Sequence, residues 1–220
     1  MLHVTRKLSN EFMNILLIRH AESTGNAQRL WAGVTDHPLT LHGVSQAQAL
    51  GVALKDTPLS HIFASPLSRA HETALAIRKH HLDAGWKIND ELMEQHLGSA
   101  EGKRYSSVSR PRDGESRQAM YARARKFVVE QLDPLSADCY VAVVSHGLFL
   151  GSLITVLNIP QRCVWSNTGY SHLVRESPNM CRVVRENATD HLKGLKKGRG
   201  GISSIPYDKS QKKIKDFFKE

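Results

Sequence analysis

The sequence predicts a three-layer α/β/α sandwich with a mostly parallel central sheet. Three observations predict it. Short apolar runs alternate with stretches of helical spacing, as in repeated βαβ units. The runs are continuous in their apolar residues, as strands covered on both faces must be. The stretches between them are long enough to cross over from one parallel strand to the next.

The elements follow in order. Residues 1–12 form an N-terminal extension. "MNILLIR" (13–19) reads as a buried strand. "GVSQAQALGVALKD" (43–56) has small and apolar residues at helical spacing. "HIFAS" (61–65) is a short strand. "PLSRAHETALAIRKHH" (66–81) is a helix with Ser65 as its N-cap and Pro66 at its first position. "WKIND" (86–90) is another strand, and "ESRQAMYARARKFVVEQL" (115–132) a helix. "YVAVVS" (140–145) is a strand that feeds the helix "GLFLGSLITVLN" (147–158). "GYSHLVRE" and "CRVVRE" make a closing pair of strands. The main domain thus spans 13–192, and 193–220 is a basic tail, read as flexible from its Gly, Ser and Lys content.

The 220 residues are 40% hydrophobic and 23% charged, ordinary values for a globular domain with a real core. No apolar run is long enough to cross a bilayer, and "MLHVTRKLSNEFM" lacks the apolar core of a secretory signal. Cys139, Cys163 and Cys181 are odd in number and widely spaced, so they read as reduced thiols. An intracellular protein, cytoplasmic or nuclear, is expected. The formal charge is +9, and residues 190–220 carry nine Lys/Arg against four Asp/Glu. Such a balance suits anionic partners.

In parallel α/β sheets, ligands bind beyond the carboxyl ends of the strands. Chemistry-bearing residues recur there. Arg19 and His20 close the first strand, Ser65 and Arg69 follow the second, Glu94 lies past the third, and His146 ends the fourth. Alone, each fits a solvated strand end or a surface charge. Together they supply two guanidiniums, two imidazoles and a carboxylate. Arginine forks hold phosphate oxygens in fixed directions. A neutral imidazole attacks phosphorus, and a carboxylic acid protonates the departing oxygen. The set requires no metal or other cofactor, and no metal-ligand spacing is present.

"LLIRHAESTGN", "DHPLTLHGVSQA", "ASPLSRAHETA", "ELMEQHLGSAEG", "GES" and "VVSHG" resemble, in order, the motifs of the histidine phosphatase superfamily, and most of all its phosphoglycerate-mutase-like branch. The resemblance covers roughly 13–192. It implies a phosphoglycerate-mutase-like fold, a phosphorylated nucleophile at His20, and a phosphate pocket of Arg19, Arg69 and His146 with Asn26 beside it. It implies a proton donor at Glu94 and places Ser23 and Thr24 near the entering substrate. Gly43 and Leu39 belong to structural motifs. Two positions depart from the pattern. Ala21 replaces the glycine of the usual Arg-His-Gly triplet, and Ala100 stands where an aromatic residue often precedes Glu-Gly.

Mutases of this kind carry a long insertion after the Glu-Gly pair. Here only "KRYSSVSRPRD" separates Gly102 from Gly114. A short cover admits water, so hydrolysis of a phosphomonoester is expected, on a sugar phosphate, a nucleotide or a phosphoprotein. Lys103, Arg104, Arg110 and Arg112 make this insert basic. A phosphomutase is the second alternative to hydrolysis. The first is a phosphatase fold kept as a binding adaptor.

In the tail, "QKKIKDFF" (211–218) resembles the peptide by which replication and repair proteins dock on the sliding clamp PCNA. The resemblance implies an apolar plug of Ile214, Phe217 and Phe218 with Gln211 at its rim. Direct nucleic-acid binding ranks last, because the tail lacks interleaved aromatics for base stacking.

Overall fold

A computed structural model describes residues 12–108, 113–159 and 165–195. Six strands form one sheet: β1 (Met13–Arg19), β2 (His61–Ala64), β3 (Gly85–Ile88), β4 (Tyr140–Ser145), β5 (Tyr170–Ser177) and β6 (Met180–Ala188). Their spatial order is β3-β2-β4-β1-β5-β6. The first four strands in that order run parallel, β5 lies antiparallel to β1, and β6 to β5.

The helices are α1 (Thr24–Gln28), α2 (Leu41–Leu54), α3 (Ser68–Arg78), α4 (Arg117–Phe127) and α5 (Gly147–Val156). A wider π turn, Val128–Leu132, prolongs α4.

Strand alternation divides the apolar residues into two cores. Ile15, Leu17, Phe63, Val141 and Val143 pack with Met120, Phe127, Phe149 and Leu153 of α4 and α5. Leu16, Ile18, Ile62, Ala142 and Val144 pack with Leu50, Leu54, Ala74 and Ile77 of α2 and α3. Adjacent residues of β1 thus face opposite helical layers, which is why its sequence reads as an unbroken apolar run.

Element ends shift by a few residues from the sequence reading, and three differences bear on the site. The sequence reading assigns no element to residues 24–28, where α1 forms. It forms because Ser23 caps it, and the Asn26 side chain bonds back to the Ser23 amide, a reciprocal capping box. Helix α3 begins at Ser68, and its cap, Leu67, makes no side-chain cap bond. Ser65 is not the cap; its hydroxyl bonds the Leu67 amide and the His146 ring instead. Helix α2 starts two residues earlier than expected, where the Thr40 hydroxyl accepts from the Gly43 amide. A Cβ at Gly43 would lie 2.0 Å from the Glu22 carbonyl oxygen, so only glycine lets α2 approach the segment after β1. Residues 1–11, Arg110, Arg112, Cys163 and the tail from 196, with its motif at 211–218, lie outside the described residues.

Candidate active site

The register of the sheet assembles the site. Strands β1 and β4 pair in parallel with Arg19 opposite Ser145, so His20 and His146 leave the sheet side by side. The His20 amide bonds the Ser145 carbonyl at 2.9 Å. The two rings lie 5.0 Å apart between centroids, tilted by 55°. On the other side of β4, Ala64 pairs with Val144 and delivers Ser65 to the same edge. The Ser65 hydroxyl is 2.8 Å from His146 Nε2.

His20 is buried, and its Nδ1 lies 2.7 Å from the Ala21 carbonyl oxygen. A carbonyl only accepts, so the neutral ring carries its proton on Nδ1 and its lone pair on Nε2. Burial first, then the Arg69 and Arg19 charges, hold the His20 pKa well below 6.5. Burial and the same two cations, with His20 itself, do the same to His146.

Both guanidiniums are held by backbone carbonyls. Arg19 Nη1 donates to Trp165 O at 2.6 Å. Arg69 Nη1 and Nη2 donate to Thr35 O and Gly33 O at 3.0 and 2.7 Å. This grip leaves Arg19 Nε, Arg69 Nε and His146 Nδ1 as buried nitrogens with no protein partner. Such groups are costly in a dry interior unless a ligand takes them up.

Glu94 is set on the first turn of α5. Its carboxylate accepts from the amides of Gln95, Leu148 and Phe149 at 2.9, 3.3 and 3.1 Å. Asn26 Oδ1 accepts from the Ser23 amide, the Ser23 hydroxyl and Asn167 Nδ2.

Arg19, His20, Asn26, Arg69 and Glu94 therefore share one cleft of about 300 Å3, and the buried His146 ring lies 5.0 Å from that of His20. Ser23 and Thr24 do not line it. Ser23 is fully buried in the α1 cap, and the Thr24 amide bonds Pro38 O.

The sequence reading missed the supports. Thr73 Oγ1 accepts from the Ala21 amide and donates to Arg69 O, tying α3 to the residue after His20. Asn167 donates to His20 O. Glu101 accepts from Leu97 N, Val34 N, Thr35 N and Thr35 Oγ1, which fixes the loop whose carbonyls grip Arg69. Arg123 forks onto Glu115 at 2.6 and 2.9 Å and donates to the carbonyls of Met93 and Glu94. It also missed three aromatic cleft residues, Trp31, Tyr105 and Trp165. Only the loop position of the tryptophans could have flagged them.

This fold and this cluster define an α/β protein with a histidine-and-arginine anion pocket at the strand ends. The chain belongs to the histidine phosphatase superfamily: the profile of its branch 1 matches residues 15–189. A probable phosphatase of Schizosaccharomyces pombe is 34% identical over 224 residues, covering 92% of this chain and 78% of that one. A probable phosphoglycerate mutase of Klebsiella pneumoniae is 32% identical over 170 residues, covering 67% and 76%. The solved structure of YhfR from Bacillus stearothermophilus superposes with a TM-score of 0.73 at 25% identity, covering 82% of this chain and 99% of that one. The phosphoglycerate-mutase-like fold expected from the sequence is the fold observed.

Proposed function

We propose that the protein is a phosphatase that hydrolyses a phosphomonoester through a phosphohistidine at His20. One observation carries this reading. A buried imidazole, kept neutral with its lone pair on Nε2, sits beside two carbonyl-gripped guanidiniums whose Nε groups have no partner.

In the first step, Arg19, Arg69 and His146 hold the phosphoryl oxygens. His20 Nε2 attacks phosphorus, the ester P–O bond breaks, and Glu94 gives its proton to the departing alcohol oxygen. In the second step, the Glu94 carboxylate takes a proton from water. The water oxygen bonds phosphorus, the P–N bond breaks, and phosphate leaves with His20 neutral again. The side chains supply every role without a metal ion. The short connection after Gly102 supports water over a second alcohol as acceptor.

Phosphomutase is the second reading, supported by the mutase names among the relatives. An adaptor role for the fold is opposed by the intact set of Arg19, His20, Arg69, Glu94 and His146. The tail motif belongs to the proposal as a docking peptide for PCNA, and a nuclear location goes with that docking if it holds. A peptide of residues 207–220 then binds PCNA in calorimetry, and replacing Phe217 and Phe218 by Ala abolishes the heat.

The test of the chemistry is hydrolysis of 4-nitrophenyl phosphate in the presence of a chelator. We expect turnover by the wild type and none by His20→Ala. Equal activity in the two proteins would refute the assignment.

A further inference from the structure

The cleft has a second wall that the hydrolytic steps do not use. Two short segments are stitched into a stub of antiparallel ladder: Trp31 N bonds Lys103 O, Gly102 N bonds Trp31 O, and Tyr105 N bonds Arg29 O, each within 3.0 Å. Leu30 and Arg104 pair between them. The ladder brings the Trp31 and Tyr105 rings edge to face, with centroids 4.8 Å apart. Both line the cleft that holds His20, and so does Trp165, whose carbonyl grips Arg19. The ladder fixes Trp31 and Tyr105 to each other, and the Trp165 carbonyl holds Arg19 beside them.

The chemistry of this wall selects among alcohols. Apart from Asn26 and the charged set, the larger side chains lining the cleft are Trp31, Leu97, Tyr105, Leu148 and Trp165. A polyol would need several side-chain donors and acceptors for its hydroxyls; these five side chains offer two indole Nε1 donors, both buried without a partner, and the Tyr105 hydroxyl, and are otherwise carbon. The nearby Glu101 carboxylate is already committed to Leu97, Val34 and Thr35. Flat rings gain from offset or edge-to-face contact with tryptophan and tyrosine beyond the area they bury. A volume of about 300 Å3 accommodates a phosphate with one ring system. Arg29, Lys103 and Arg104 are exposed on the same ladder and favour an anionic substrate at the rim.

We infer that the substrate is a phosphomonoester whose alcohol carries a flat aromatic ring, bound against Trp31 and Tyr105. This rests on the phosphatase reading above.

The test compares substrates that differ in the ring and match in leaving-group chemistry. One pair is benzyl phosphate and cyclohexylmethyl phosphate; the other is adenosine 5′-monophosphate and ribose 5-phosphate. In at least one pair, kcat/KM should favour the aromatic member by about tenfold, the size of a stacking contribution. A preference in the first pair assigns a ring next to the ester, and one in the second assigns a nucleobase. Trp31→Leu or Tyr105→Leu should bring that ratio toward one. The ladder bonds are all backbone, and Tyr105 is exposed, so these changes leave the scaffold its own supports. A ratio below about threefold in both pairs, or one that neither variant moves, overturns the inference. Hydrolysis of 4-nitrophenyl phosphate in parallel separates the failures. Turnover there without ring preference sinks only the ring assignment; no turnover sinks the phosphatase reading.

Discussion

The Nδ1 nitrogen of His20 lies 2.7 Å from the carbonyl oxygen of Ala21, its own neighbour in sequence. That contact fixes the tautomer and turns the lone pair to Nε2. It depends on the path of the chain after β1. Thr73 Oγ1, accepting from the Ala21 amide, holds that path. Thr73→Val should leave the amide unsatisfied, lower kcat/KM by about tenfold and cost about 1–2 kcal/mol of stability. Steady-state kinetics and urea melts of the same preparation check both.

The second prediction concerns Arg69. Its two carbonyl anchors, Gly33 and Thr35, are held by Glu101. Glu101→Gln turns an amide N–H2 toward donors that need an acceptor. The guanidinium should shift, and kcat/KM should fall by about tenfold to a hundredfold. The inhibition constant for inorganic phosphate should rise in step. A role in stability alone would lower Tm and leave that constant unmoved.

A third prediction follows from the Arg123–Glu115 pair, which carries the Met93 and Glu94 carbonyls. Arg123→Met strands the Glu115 carboxylate, whose side chain is 16% exposed, and should cost about 3 kcal/mol. Adding Glu115→Gln should recover part of that loss. A fully additive double variant in denaturant melts would mean that the two do not interact.

The buried imidazoles predict a pH dependence of stability. Folding holds the His20 and His146 pKa values well below 6.5, through burial first and then neighbouring cations. The unfolded chain therefore binds more protons just below pH 6.5. Stability from these groups is complete above about 6.5 and is lost as pH falls toward their folded values. The Tm of the wild type should fall more steeply along that descent than the Tm of His20→Asn.

Glu72 acts in the opposite sense. Burial, then Asp36, raises its carboxyl pKa to about 7, and its Oε2 has no partner. The folded state holds a proton that the unfolded chain releases between 4.5 and about 7, so this group destabilises as pH rises through that window. Glu72→Gln should raise Tm at pH 8 more than at pH 5. An equal change at both would show that the carboxyl titrates normally.

Arg19, His20 and His146 were legible in the sequence because each sits where an apolar strand stops at a charged or imidazole residue; Arg69 and Glu94 were legible because they follow the next two strands within a few residues. The parallel pairing of β1 with β4 and of β4 with β2 then had to bring them together. Their supports were not legible. Thr73, Glu101, Arg123 and Asn167 act through hydrogen bonds to backbone far away in sequence, and no local pattern records the partner. Ser65 misled for a related reason. Its hydroxyl fits a helix cap by composition, but the extended Leu67 delays the helix, and the hydroxyl turns to His146. Helix α1 is too short for periodicity to show, and a side-chain box rather than an apolar face starts it.

The most direct measurement is trapping of the covalent intermediate by a denaturing quench at alkaline pH, where a P–N bond survives, using Glu94→Gln with 4-nitrophenyl phosphate. That leaving group needs no proton, so the first step proceeds while the water-activating step is slowed. Peptide mass spectrometry should then find an acid-labile phosphoryl group on His20, absent from His20→Ala. Steady turnover with no adduct on His20, or an adduct on another side chain, would contradict the account.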